Sequence, residues 1–438
     1  MTKRTRNTIF YALCAVFAAV GTLVVFYAQG WRLDFETFGL RKVGGIYLRS
    51  FPEDALVFIN DKKVDKKPGL LDRGRFIGNL FPKNYKISFV SNGYLDWTEH
   101  IQVSPSLVSE IKYAVLVPKN SENAATGTVK NFWTNGDRLI ISPGNAPLLF
   151  NGNKIKGNEV ILQNSDAGIV LTESASPKTY FINYLSGNTP TSTILNQKLI
   201  DSGIQPSNIK EMIKDSDSDN QALLRTADKI FSLDLRNREI SRITSSSVPI
   251  SKLAVSPSWI AWVSHDTKTD KTTLTFYNRS SRSIQDGINV TGKLIKLSFR
   301  NDDELGILQS DGELYTISSG GQPQKLASDV RDFEFSPSGD RVAALENQAL
   351  EIFAFNREKD YWRFRLPSTE KIERVEWYKD ENHIFIIYQD EIKFLDINDK
   401  NLENFPTIAS GSNPKYDTKS NTLYFIKENQ LKKIVFPK

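Results

Sequence analysis

Phe333-Glu334-Phe335-Ser336-Pro337-Ser338-Gly339-Asp340-Arg341-Val342-Ala343-Ala344-Leu345 is the stretch that decides the fold. It reads as a strand, a Ser-Pro-x-Gly turn and a second strand. Apolar strands at 350–355 and 362–366 follow it. The same grammar recurs along the chain. Trp133-Thr134-Asn135-Gly136-Asp137 leads into a strand at 139–141, and Ala254-Val255-Ser256-Pro257-Ser258 into one at 259–263. Phe299-Arg300-Asn301-Asp302-Asp303 precedes 305–308, Trp377-Tyr378-Lys379-Asp380 precedes 384–388, and Tyr416-Asp417-Thr418 precedes 423–426. Period-two segments at 180–185, 230–235, 274–277, 314–317 and 392–397 supply third strands. Weaker units lie near 159–198 and 208–244. The total is about eight units of roughly 39 residues, the mark of a β-propeller. The reading is eight blades, or seven if the two weak units form one irregular blade. The last unit stops near Phe436 after three strands. A strand from 124–131 is expected to complete it and close the ring, because an open sheet edge invites aggregation.

Composition agrees with a folded chain. Of 438 residues, 39% are hydrophobic, 24% charged and 11% aromatic, which excludes a disordered chain, a collagen or a polytopic membrane protein. The net charge of +5 comes from 56 Lys+Arg against 51 Asp+Glu, too even a balance to point to nucleic acid. A single Cys, Cys14, excludes an intrachain disulfide and a multi-Cys metal cage.

The N-terminus carries a membrane signal. Lys3, Arg4 and Arg6 stand in a tail, 1–7, without acids, and 8–28 is an uncharged apolar run. At about 1.5 Å per residue the run matches a hydrocarbon core of about 30 Å. Tyr27 and Trp31 stand at its far end as interface anchors. The expectation is a transmembrane helix at 8–30, single-pass in the cell membrane. The basic end lies in the cytoplasm and the C-terminal domains outside it. A cleaved signal peptide is the alternative, with Ala28-Gln29-Gly30 as the site, although its apolar region normally spans about 7–15 residues. A lipoprotein is disfavoured because Leu13 precedes a mid-run Cys14.

A charged linker, 31–44, precedes a small all-β domain at 45–117. Its strands are read at 46–50, 55–59, 85–90, 94–103 and 108–117, with turns at Asn60-Asp61 and Asn92-Gly93. No stretch has a helical period, so a two-layer β-sandwich is expected. Ser50, Pro52, Ala55, Val57, Ile59, Asn60 and Asp61, then Pro68, Leu80, Pro82, Tyr85, Gly93, Tyr94 and Trp97, resemble the pattern of the PEGA domain family. Lys83-Asn84 departs from the family's Gly-Glu. The resemblance implies an extracytoplasmic module beside a membrane span and no catalysis. Tyr94 and Trp97 read as core. A segment rich in small polar residues, 119–129, leads into the propeller at 118–438. Its Ser-Pro-x-Gly turns, best at 333–345 and 253–263, resemble the TolB-like propeller repeat family. They depart from WD40, since Trp-Asp and Gly-His pairs are missing.

Chemistry is sparse. No nucleophile elbow, His-Glu-x-x-His or P-loop occurs. His100, His265 and His383 are far apart and read as surface or loop residues. Asp215, Asp217 and Asp219, with Asn220, follow the start of a calcium loop, but the usual Gly is absent and Thr226 holds the twelfth position. A solvated acidic turn is the plainer reading, and no other cofactor is expected. Lys62, Lys63, Lys66 and Lys67 read either as a contact to anionic lipid or wall polymer or, more plainly, as a solvated loop.

The sequence thus reads as a membrane-anchored, extracytoplasmic binding or scaffold protein of a bacterial-type cell envelope, not an enzyme. Its partners would be the lipid bilayer, through the helix, and an envelope protein or a wall or surface polysaccharide, with no nucleic acid. The alternatives are a carbohydrate-active enzyme on a propeller scaffold, which needs convergent carboxylates with raised pKa, and a purely structural surface component.

Overall fold

The computed structural model describes every residue except 1–2, 36–37, 66–68, 70–72, 137, 145, 165–167, 186–188, 270, 286, 291, 356–360, 368–370, 400 and 438. Lys66, Lys67, Pro68 and Asp137 therefore lie outside the described residues. The chain divides into two units. One comprises residues 1–120, 401–404 and 436–438, and the other residues 121–400 and 405–435.

The first unit opens with helix α1, Lys3–Ala28, which is long and apolar enough to cross a membrane, with a mean hydropathy of 2.5 and no buried residue. It starts five residues before the expected span, because Lys3, Arg4 and Arg6 join the helix instead of forming a tail. The expected linker 31–44 is also corrected. It holds an antiparallel hairpin, β1 (Trp31–Asp34) with β2 (Gly39–Lys42), and β3 (Gly44–Phe51) begins within it. Four-residue strands studded with charge carry too short a period to be read in sequence.

Beyond the hairpin lie β4 (Leu56–Ile59), β5 (Lys62–Val64), β6 (Arg75–Leu80), β7 (Asn84–Val90), β8 (Trp97–Gln102) and β9 (Val108–Val115). They form two sheets, β6-β3-β9 and β5-β4-β7-β8. Ile46, Leu48, Val57, Ile87, Phe89, Trp97 and Ile111 from both sheets share one buried cluster, as period-two alternation demands. Trp97 is core, with its ring 5.3 Å from that of Phe89, and Tyr94 packs against the cluster half-buried. Asn60 and Asp61 turn β4 into β5 with φ of 46° and 63°, conformations that Asn and Asp tolerate. The strands β5 and β6 were not read in sequence, the first for its charge and shortness, the second for its Gly78 and Asn79.

Among the described residues the second unit is a succession of eight antiparallel sheets of four strands, one of them with a fifth, strung in sequence order. This is propeller-like topology. The first strands are Asn131–Asn135, Glu159–Asn164, Glu211–Lys214, Ile250–Val255, Leu294–Phe299, Asp332–Phe335, Arg374–Trp377 and Ser412–Asp417, here numbered as sheets one to eight. The two weak units of the sequence are two separate sheets, not one irregular blade. Sheet eight takes its fourth strand from Glu122–Asn123, which pairs with Lys432 and Lys433. The expected closing strand at 124–131 is corrected to these two residues. Beyond them Ala124 N–H, to Leu431 O at 2.8 Å, and Val129 N–H, to Asn429 O at 2.7 Å, continue the contact, with Val129 buried against Leu431 and Tyr424. A two-residue strand has no alternation to detect.

The Ser-Pro-x-Gly turn does more than reverse the chain. Ser338 donates from both N–H and Oγ to the Glu381 carboxylate of the next sheet's first turn, each at 2.6 Å. Ser258 N–H does the same to Asp302 of sheet five at 2.6 Å, and its Oγ also bonds that carboxylate. These bonds hold the Asp302 carboxyl below its usual range. Gly339 has φ +77°, and a Cβ there would meet Arg300 O at 2.4 Å, while Arg300 Nε donates to Gly339 O at 2.7 Å. Between sheets eight and one, Asp417 Oδ2 accepts from Thr134 Oγ1 at 2.8 Å and from Gly136 N–H at 2.6 Å. At these three joins the first turns of adjacent sheets are thus latched, carboxylate to hydroxyl and amide.

Two outcomes follow for urea unfolding of the detergent-solubilised full chain. Asp417→Ala strands three donors, Thr134 Oγ1 and the N–H groups of Gly136 and Ser420, and is expected to lower the stability of the second unit by about 1–3 kcal/mol. Gly339→Ala combines a positive φ with a backbone clash and is expected to cost more than about 1 kcal/mol. Unchanged midpoints in both would remove the latch from the account of stability.

Candidate functional site

The first strand of each sheet pairs on one side only, so its other edge is free of a neighbouring strand. First strands contact one another between sheets one and two, two and three, four and five, six and seven, and eight and one. Charged side chains concentrate along this inner edge in sheets five to eight. Lys296 Nζ donates to Asp332 Oδ1 and to Phe333 O, both at 2.7 Å. Arg331 bonds Ile372 O, and Arg374 bonds Pro414 O. Lys415 Nζ donates to Phe132 O at 3.3 Å. Each cation reaches forward to a main-chain carbonyl on or just before the next first strand. That satisfies acceptors which an edge strand otherwise leaves open.

Between these cations lie Glu334 and Glu376. Glu376 Oε2 pairs with Arg374 at 3.3 Å, and its Oε1 accepts from Tyr416 N–H at 3.2 Å. Burial pushes its carboxyl upward, opposed by Arg374. Glu334 is pushed up to about 7, by burial first and then by the negative charge of Glu376, with Lys296 opposing. Lys415 is pushed down by burial and by Arg374. The result is a ladder of Lys296, Asp332, Glu334, Arg374, Glu376 and Lys415 with three charges of each sign, in which Glu334 is the member poised to gain a proton near neutrality. Such a ladder can hold a polar, hydroxyl-rich or charged ligand, and its Glu334 can exchange a proton with it.

Sequence reasoning missed all six. The available signal was position: charged residues stand one or three places before the aromatic that opens each turn, Phe299, Phe335, Trp377 or Tyr416. Period two then puts Asp332 with Glu334, and Arg374 with Glu376, on one face of their strands.

The expected candidates fare differently. Asp215 is buried, and Arg279 takes both its oxygens, at 2.6 and 3.0 Å. Asp219 pairs with Lys214 at 2.5 Å, and Asp217 N–H bonds Asp215 Oδ1. Two of the three acids are thus held by cations, and the Asp215–Arg279 pair ties sheet three to sheet four. Among the described residues no group of three or more His, Cys, Asp or Glu is arranged to hold a metal. The reading of His383 is corrected. It is buried, not on the surface, with Nδ1 2.8 Å from Asp380 Oδ2 and Nε2 3.6 Å from Asp396 Oδ2, and it stacks on Phe394 at 4.8 Å. Burial disfavours its charge, but Asp380 and Asp396 outweigh burial and raise its pKa. Asp380 stands three residues before His383 in the chain, whereas Asp396 is brought to it by cross-strand pairing, which no sequence spacing shows. His100 is half exposed against Glu403 at 2.8 Å, and His265 bonds Thr272 at 3.1 Å. Lys63 stands on exposed β5 near Asp65 at 3.5 Å. Tyr27 is 63% exposed, and Trp31 is half-buried with its ring 6.2 Å from that of Phe26. A separate polar groove of about 480 Å³ lies beside the helix Asn196–Asp201, lined by Lys198, Asp201, Gln221, Ser232, Asp234 and Arg238.

No family model matches the chain, and no curated protein does. Among solved structures the chain is similar to an oligogalacturonate lyase in complex with manganese, at 9% identity and a TM-score of 0.48, over 73% of this chain and 99% of that one. It is also similar to Hsv2 of Kluyveromyces lactis, at 11% identity and a TM-score of 0.42, over 61% and 89%. At these values neither likeness bears on the site.

Glu334 makes a pH signature measurable. Its carboxyl holds a proton more tightly in the folded chain, at about 7, than at the ordinary 4.5. Stability is therefore lost as pH rises from about 4.5 through about 7. Glu334→Gln lacks that loss. Its stability relative to the unmodified chain is expected to grow across this window and level off above it, by ~3 kcal/mol at most. A pH-independent difference would show that Glu334 titrates normally.

Proposed function

We propose that this chain is a membrane-anchored binding or scaffold protein of a bacterial-type cell envelope, whose β units lie outside the cytoplasm. In this reading α1 is a retained single-pass anchor. Its Lys3, Arg4 and Arg6, with no acid among the residues before the apolar run, support a cytoplasmic N-terminus. The two-sheet unit is a PEGA-like sandwich. The eight sheets form a closed eight-bladed propeller of TolB-like type, supported by the Glu122–Asn123 strand on sheet eight and the Asp417 latch on sheet one. The partner is an envelope protein or a wall or surface polysaccharide.

The observation that carries the reading is the inner-edge charge ladder. It presents both signs of charge on successive rigid strands, and most of its members already hold one another. Glu376 is engaged by Arg374 and Tyr416 N–H, which leaves a holding surface and not two free carboxylates. The second reading, a carbohydrate-active enzyme, is favoured by one observation, the Glu334 carboxyl near 7 beside Glu376. There Glu334 would be the general acid.

The test uses the detergent-solubilised full chain as bait on native envelope extract, with mass spectrometry and a glycan readout. One saturable partner is expected, with affinity at least ~10-fold weaker for Lys415→Ala, the scale of one lost charge-assisted bond. That variant also loses the bond to Phe132 O, so its unfolding midpoint is read alongside, with a fall of about 0.5–1.5 kcal/mol expected and a folded chain at assay temperature. Turnover of a polysaccharide, abolished in Glu334→Gln, would establish the enzyme reading instead. Neither partner nor turnover would leave a structural surface component.

A further inference from the structure

The hairpin β1–β2 is amphipathic the wrong way round for a water-facing segment. Cross-strand pairing sets Trp31 against Lys42 and Leu33 against Leu40, with Arg32 opposite Arg41 and Asp34 opposite Gly39. Strand alternation therefore puts Trp31 and Leu33 on one face with Leu40 and Lys42, and Arg32, Asp34 and Arg41 on the other. Phe35 and Phe38 flank the hairpin tip. On the charged face Asp34 and Arg32 are engaged with the protein, while Arg41 covers Asp34 and stays partly exposed. Asp34 is buried, with Arg41 Nη1 3.1 Å from its carboxylate, and Arg32 donates to Tyr27 O at 2.7 Å and Asn79 Oδ1 at 3.0 Å. The apolar side chains are the exposed ones: Leu33 49%, Phe35 73%, Phe38 86% and Leu40 57%. In water this arrangement leaves four large apolar groups wet while desolvating charge.

The hairpin is also continuous with α1. Only Gln29 and Gly30 separate it from the helix, and Val43 N–H donates to Gly30 O at 2.9 Å. The Arg32 guanidinium lies 3.6 Å over the Tyr27 ring, and the Lys42 ammonium 5.5 Å over the Trp31 ring. These contacts hold the hairpin against the end of the helix.

We infer that the hairpin is an interfacial docking element. Its Leu33, Phe35, Phe38 and Leu40 enter the headgroup–acyl boundary of the leaflet at the C-terminal end of α1. Trp31 sits at headgroup level, and Lys42 stands beside the lipid phosphates. This rests on the reading that α1 spans the bilayer. It adds a second membrane contact, which restricts how the helix end turns.

Cys14 is the sole cysteine and lies within α1, so one label can read each level separately. The full chain is reconstituted in vesicles of phosphatidylcholine, whose zwitterionic surface keeps the Lys63 loop in water. A nitroxide is placed on native Cys14, on Phe38→Cys in a Cys14→Ala background, or on Lys63→Cys in the same background as the aqueous reference. Relaxation by oxygen against a water-soluble nickel chelate reads depth. The expected result is a deep Cys14 label and a Phe38→Cys label whose oxygen-to-nickel ratio is several-fold above that of Lys63→Cys. A deep Cys14 label with Phe38→Cys equal to the reference overturns the docking while leaving the span standing. A water-exposed Cys14 label overturns the span and the docking with it. Dipolar broadening between Phe38→Cys labels, without oxygen contact, would assign the face to a second copy and also overturn the proposal.

Discussion

The second unit depends on what happens at the join between sheets eight and one. Each sheet of a propeller-like array buries its faces against its neighbours, so the first and last sheets would each expose a face and an edge unless they meet. The chain solves this with elements from opposite ends of the unit. Glu122–Asn123 supplies the fourth strand of sheet eight, and the Asp417 carboxylate binds the turn of sheet one. Both contacts span most of the sequence, so closing them costs loop-closure entropy. The apolar interiors of all eight sheets become fully useful only once this join is made.

The same chemistry recurs at smaller scale. A turn carboxylate accepts from a serine hydroxyl and amide one repeat away, at Ser258 with Asp302 and Ser338 with Glu381. On the inner edge, a cation from one sheet reaches a carbonyl of the next, at Lys296, Arg374 and Lys415. Both devices bind neighbouring sheets without extending any strand. They keep edge groups satisfied and still discourage pairing with foreign strands, since charge blunts an edge. The candidate site is a by-product of this. Holding carbonyls with cations on consecutive strands places alternating charges side by side, and burial then moves Glu334 toward neutrality.

Burial also explains why two sequence expectations changed meaning. Asp215, read as part of a calcium loop, became one half of a buried ion pair with Arg279. His383, read as a surface histidine, became the centre of an Asp–His–Asp arrangement under Phe394. In each case the local sequence showed an acid cluster or a lone imidazole. For Asp215 the deciding partner comes from another sheet, and for His383 the second of its two carboxylates comes from another strand.

By itself the sequence determined the apolar N-terminal helix, the β class, the repeat of about 39 residues and the positions of most first turns. These are local properties: run length, period-two alternation, and turns such as Asn60-Asp61 and Ser336-Pro337-Ser338-Gly339 that need particular residues. Only the tertiary structure decided the sheet count, the two-residue joining strand, the inverted hairpin after α1 and the charge ladder. Each of these depends on which residues far apart in the chain share an edge, a face or a buried pair. Period two shows only the members that share a strand, as Arg374 and Glu376 do. A pairing such as Lys296 with Asp332 or Glu122 with Lys433 leaves no local period, because its partners lie about one repeat or most of a unit apart along the chain.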